Sequence, residues 1–121
     1  MENIQVALRL RPLNKRETAR NEENIWKISN QKNVAVDIPY LKQLVLAKRL
    51  TANTKSSFCF DQCFNPTSDN LQLYETVVKR IALSSLNGIN GTIFMYGQTG
   101  SGKTYTMMGY NKSEDQKDND T

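Results

Sequence analysis

A doubly wound α/β fold is predicted by three features that follow one another in this 121-residue sequence. Leu71, Tyr74, Val78 and Ile81 recur at three- and four-residue spacing, the period of a helix that lays one face on a core. Residues 92–96 form a near-continuous apolar run of the kind that buried strands show. Directly after it, Gly97-Gln98-Thr99-Gly100-Ser101-Gly102-Lys103-Thr104 fits G-x-x-x-x-G-K-[ST], the Walker A pattern of P-loop proteins. The order helix, buried strand, glycine loop, helix is the core of a doubly wound nucleotide fold.

The elements follow in chain order. In residues 4–10, Ile4, Val6, Leu8 and Leu10 alternate with Gln5, Ala7 and Arg9 until Arg11-Pro12, which reads as a strand stopped by a proline. Residues 14–24 are dense in charge without an apolar stripe, hence a loop or a short solvated helix. Between Ile25 and Phe60, apolar clusters at 25–28, 34–38, 44–46 and 58–60 alternate with polar breaks and Pro39, which predicts small antiparallel strands in a meander. Residues 41–50 also fit a short helix. Ser68 is the expected N-cap of the next helix, with Asp69 complementing its dipole, and Asn87-Gly88 ends it. Asn90-Gly91 turns the chain into the apolar run, and residues 103–108 begin a helix. Residues 111–121 hold no apolar side chain and are expected to be a polar disordered tail or a truncated loop.

Each residue type in the octapeptide suits an anion cradle. Backbone N–H groups that converge on phosphate require unusual φ values and close backbone approach, which Gly97, Gly100 and Gly102 permit. Lys103 is the expected point charge on the β and γ phosphates, and the Thr104 hydroxyl the expected Mg²⁺ ligand. The N-terminus of the following helix adds orphan N–H groups and a positive dipole end. The plainer alternative is a glycine-rich turn that matches by accident.

Composition excludes several function classes. There is no histidine, so neither a Ser-His-Asp triad nor a Cys-His pair exists, and Cys59 and Cys63 alone do not make a four-ligand zinc site. Both thiols are expected to be buried or half-buried. No run of 18 apolar residues and no basic-then-apolar leader occurs, so neither a membrane partner nor secretion is expected, and the default compartment is cytosolic or nuclear. Net charge is +4, and residues 111–121 carry two lysines against four acidic residues, leaving +6 on residues 1–110. That surplus reads as an ordinary solvated surface, and no nucleic-acid partner is expected.

Four blocks, taken in order, resemble the N-terminal third of the kinesin motor domain family. They are Val6-Ala7-Leu8-Arg9-Leu10-Arg11-Pro12-Leu13-Asn14, then Phe58-Cys59-Phe60-Asp61-Gln62-Cys63-Phe64, then Leu73-Tyr74, and finally the run from Gly88-Ile89-Asn90-Gly91-Thr92-Ile93 through the octapeptide to Tyr105-Thr106-Met107. The last block extends the match well beyond Walker A. The resemblance implies a kinesin-type motor core with residues 1–110 as its N-terminal portion, ATP and Mg²⁺ as cofactors, microtubules as partner, and a cytoplasmic, cytoskeletal location. It implies that Arg9, Arg11 and Pro12 flank the adenine, with the ring on Pro12 and Tyr105 on the other side. Gln98, Thr99 and Ser101 complete the loop. Tyr74 and Tyr96 are expected in the core. Trp26-Lys27 and Tyr105-Thr106-Met107-Met108-Gly109 are similar to the centromere-associated subfamily.

The family's two switch patterns, N-x-x-S-S-R-S-H and D-x-x-G-x-E, do not occur in this sequence. Phe58-Cys59-Phe60-Asp61 imitates an apolar strand ending in a metal-side aspartate, but it precedes Walker A and corresponds to the family's structural F-x-F-D block. In the kinesin fold another strand separates the strand of residues 4–10 from that of residues 92–96. The expectation is therefore an incomplete core, a truncated or fragmentary motor that binds ATP weakly or not at all alone, with dimerisation dependent on a downstream coiled coil. The alternatives are a non-catalytic remnant acting as a nucleotide-binding or structural interaction module, and a small P-loop kinase or other NTPase.

Overall fold

The computed structural model describes residues 4–47 and 55–109, which fall into two compact units divided after Ser68. The expected tail at residues 111–121 lies outside the described residues.

The first unit is built from two small sheets. Strand β1 (Ala7–Arg9) pairs in parallel with β5 (Gln62–Phe64), Leu8 standing beside Cys63. Backbone bonds extend the pairing at both ends, from Asp61 N to Val6 O at 3.0 Å and from Leu10 N to Phe64 O at 3.0 Å. The Asp61 carboxylate of the F-x-F-D block also accepts the Val6 N–H at 2.7 Å, which ties it to the start of β1. Strands β2 (Trp26–Ser29), β3 (Asn33–Val36) and β4 (Ser57–Cys59) form the expected antiparallel meander. Val34 and Val36 on the central strand are buried, with Cys63 and Phe64 of β5. The β2–β3 turn is tied to the chain around β5: Gln31 O accepts Cys63 N at 2.6 Å, and Lys32 O accepts Phe60 N at 2.8 Å.

Two helices interrupt these strands. Helix α1 (Lys15–Ala19) starts at a full capping box, in which Asn14 Oδ1 accepts Glu17 N and Glu17 Oε2 accepts Asn14 N. Helix α2 (Ile38–Leu46) makes residues 41–46 of the segment 41–50 helical, and residues 48–50 lie outside the described residues. Pro39 lies in its first turn, where a missing N–H costs nothing, so the proline begins this element instead of breaking a strand. The cluster 44–46 is accordingly helical.

The second unit opens with a helical rod: α3 (Asn70–Leu73), a π-helical turn (Tyr74–Val78) and α4 (Lys79–Leu86). Its N-cap is Asp69 and not Ser68; the extended Asp69 places its carboxylate 2.7 Å from Gln72 N, while the Ser68 carbonyl accepts Arg9 instead. The π turn widens the helix and breaks the expected stripe: Leu73 is buried, whereas Leu71 and Tyr74 are exposed. The Thr76 hydroxyl donates to Gln72 O at 2.7 Å within this turn, a back-bond of the kind that distorts helices. At the other end Gly88 N donates to Ser85 O and Ile89 N to Ser84 O, the paired bonds of a Schellman motif.

The largest correction concerns residues 92–96, which pair with no strand among the described residues. Exposure alternates along the run: Ile93 and Met95 are half-buried, lining a cleft of about 260 Å³ with Leu73, Val78 and Met107, while Phe94 and Tyr96 are 88% and 102% exposed. The apolar run predicts a buried strand, but only one of its faces is covered. Tyr96 and Tyr74 are thus surface side chains, and Cys59, on a strand exposed along its length, is exposed as well.

Gln31 occupies the left-handed region at φ 55°, where a β-carbon is strained by roughly 1–2 kcal/mol. Gln31→Gly is expected to raise the unfolding free energy by about 1 kcal/mol in urea denaturation, because glycine relieves that strain and keeps the carbonyl that holds Cys63.

Candidate functional site

The glycine loop joins residue 96 to helix α5 (Lys103–Met108). Gly100 and Gly102 have φ of +81° and +92°, left-handed values that side chains rarely adopt, so the path of the loop depends on glycine at these positions. A β-carbon on Gly97 would collide with the Ser101 side chain, which closes the loop against its own start. Ser101 N donates to Gln98 O at 3.1 Å across this bend. Lys103 Nζ turns back over the loop and donates to Gly97 O at 2.6 Å and Gln98 O at 3.0 Å. Gly102 O takes the first α5 bond, from Thr106 N at 2.9 Å.

Two features bear on whether this loop suits phosphate. Ser101 Oγ is buried without a hydrogen-bond partner, and it lies so close to Gly97 that a β-carbon there would collide with it. A cationic amine, glycine amides and an unsatisfied hydroxyl are a donor set for an anion, so the residues fit a phosphate group. For Mg²⁺ the protein's own contribution is small. Among the described residues no cluster of three His, Cys, Asp or Glu side chains could hold a metal, and the exposed Thr104 offers only its hydroxyl. That fits a cation held chiefly by phosphate oxygens and water.

Tyr105, half-exposed, follows on α5; its carbonyl accepts the Asn70 side-chain amide at 2.9 Å, which ties α5 to the start of α3. Nothing in the sequence pattern marked Asn70.

The other expected site residues belong to the first unit. Arg9 ends β1 and donates from Nη2 to Ser68 O at 3.0 Å. Arg11 donates from Nη1 to Pro12 O at 2.9 Å and forms a two-pronged ion pair with Glu17, Nη1 to Oε2 at 2.7 Å and Nη2 to Oε1. Pro12 is exposed. The arginine's hydrogen bonds, followed by the Asn14 amide, hold the Glu17 carboxyl down at about 2 against an ordinary 4.5, and Glu17 in turn raises Arg11. Glu17 was not singled out from sequence, although Asn14-x-x-Glu17 carries the capping-box spacing that could have found it.

A glycine loop that leads into a helix, with the helix's first lysine folded over it, defines a protein of the P-loop class. Comparison with known proteins refines this. The kinesin motor domain model matches residues 9–118. The chain is 46% identical over 108 residues to the kinesin-like protein NACK1 of Nicotiana tabacum and 45% identical to KIN-7A of Arabidopsis thaliana, in each case covering 89% of this chain and 10% of the relative. Kinesin-related protein 4 of Dictyostelium discoideum is 41% identical over 106 residues, 88% of this chain and 5% of that protein. The chain belongs to the kinesin motor domain family, whose fold is that of the P-loop NTPases, and it spans about a tenth of the length of the first two relatives.

Because the folded Glu17 titrates below its ordinary value, the stability it contributes is complete above pH 4.5 and is lost as pH falls toward about 2. Carbon-13 NMR titration of the Glu17 carboxyl is expected to give a midpoint near 2, and Arg11→Ala is expected to move it up toward the usual carboxylate range.

Proposed function

We propose that this chain is the ATP-binding portion of a microtubule-based kinesin motor, acting in the cytoplasm on the cytoskeleton. The observation that carries the reading is the Lys103 ammonium held over the glycine loop beside the buried, unpartnered Ser101 hydroxyl. Gly97, Gln98, Thr99, Gly100, Ser101 and Gly102 form the cradle for the phosphates, Lys103 neutralises their charge, and Thr104 offers a ligand to Mg²⁺. Arg9, Arg11 and Pro12 with Tyr105 serve the adenine. Bound Mg·ATP supplies the phosphoanhydride bond whose hydrolysis a kinesin couples to movement.

Residues 1–110 act as the N-terminal portion of the motor core, and the core is incomplete without further polypeptide. The run at residues 92–96, which pairs with no strand among the described residues, supports this, since backbone groups of a sheet strand need partners. So does the absence from the sequence of both switch patterns, the groups that sense γ-phosphate and place water. These residues therefore bind and orient, and coupling depends on the rest of the domain. Trp26-Lys27 and residues 105–109 support placement in the centromere-associated subfamily, alongside relatives that bear KIN-7 names. The same run favours the second reading, a non-catalytic remnant that serves as a nucleotide-binding or structural interaction module.

The two readings separate by experiment. In the full-length protein carrying this sequence, Lys103→Ala is expected to abolish ATP-driven microtubule gliding, and unchanged motility would refute the phosphate role. The isolated 121 residues are expected to show no microtubule-stimulated ATP hydrolysis in a coupled phosphate-release assay; stimulated turnover would show that the core is sufficient as it stands.

A further inference from the structure

Glu17 belongs to neither the glycine loop nor the residues expected against the base, yet both of its carboxylate oxygens and its backbone N–H are engaged. One carboxylate oxygen takes Arg11 Nη1 and the Asn14 N–H, and the other takes Arg11 Nη2. The same Nη1 reaches Pro12 O at 2.9 Å. The carboxylate, the guanidinium plane and the Pro12 carbonyl therefore form one connected unit, part-buried at the Arg11–Glu17 pair and exposed at Pro12, with its far end fixed by the start of α1. A planar guanidinium gripped at two points has no freedom to rotate about its own fork, which a single-point lysine contact would allow. Arg11 is thus oriented by Glu17 and turned toward its own backbone.

We propose that Glu17 is a positioning residue for the nucleotide base: through Arg11 it fixes the backbone of Pro12, the surface on which the base is to lie. The inference rests on the ATP-binding reading and changes the part assigned to Arg11, from a direct contact of the base to the strut that holds Pro12. Arg9 donates to Ser68 O. A pair that sets only the base platform affects ligands that contain a base and leaves the phosphate cradle alone. That distinction makes it testable.

The test is calorimetric binding of Mg·ATP and of Mg·tripolyphosphate, which has the phosphates without the base, to the full-length protein carrying this sequence. Glu17→Gln and Arg11→Lys are each expected to weaken ATP binding about tenfold, equivalent to about 1.4 kcal/mol. Tripolyphosphate binding is expected to stay within about twofold of the parent. Asn14→Ala removes the other half of the capping box and lowers the melting temperature, but leaves ATP affinity where it was. Unchanged ATP affinity in both Glu17→Gln and Arg11→Lys overturns the proposal, as does equal weakening of both ligands or an Asn14→Ala loss as large as that of Glu17→Gln. Should Glu17→Gln not fold, Arg11→Lys, which keeps the charge, decides alone. Lys103→Ala separates the two levels: loss of both ligands supports the cradle, whereas parental binding of both by Lys103→Ala, or no binding by the parent, removes the ATP reading and this inference with it.

Discussion

The bond from the Lys103 ammonium to the carbonyls of Gly97 and Gln98 is the constraint around which the second unit is arranged. A cation at the start of a helix is ordinarily unfavourable, because the helix dipole presents its positive end there. The loop offsets this by turning two carbonyl oxygens toward the amine, and it can do so only because glycines at 100 and 102 accept left-handed backbone. The lysine thereby holds the loop in a closed curve, and an anion with more charge to offer than two carbonyls is the natural competitor for it.

The first unit depends on carboxylates used as backbone clamps. Asp61 holds the Val6 amide and so begins the β1–β5 pairing, while Glu17 joins the exit of β1 to the cap of α1. Both strands of this parallel pair are three residues long, and each carries a buried or half-buried apolar middle, Leu8 and Cys63. So short a ladder holds few bonds of its own, and the side-chain clamps carry its grip on the chain back to Val6 and onward to Glu17.

Much of this was legible from residues alone, and the failures have identifiable causes. The glycine loop, the meander and the Asn87-Gly88 stop depend on local chemistry within a few residues, and pattern captures that. The N-cap moved by one residue because Ser68 and Asp69 are both competent and the long-range Arg9 bond decided between them. The helix stripe failed because a π turn shifts the phase, and a period of 3.6 cannot anticipate a wider turn. The strand at residues 92–96 failed for a different reason: an apolar run states what could be covered, and pairing needs a neighbour. Of the site, the loop was plain in the sequence, whereas Asn70 depends on a bond to the distant Tyr105 carbonyl that no local pattern marks.

The wide turn over Tyr74–Val78 also shapes how this helix can change length. Removing one residue from an ordinary α-helix swings everything beyond it by about 100° and moves its apolar side chains off the surface they cover. Removing one from this turn would instead return the rod to uniform winding, leaving α4 in nearly the same orientation to α3. The distortion is therefore a place where the loss of a single residue would leave the cleft-facing side of the rod in place.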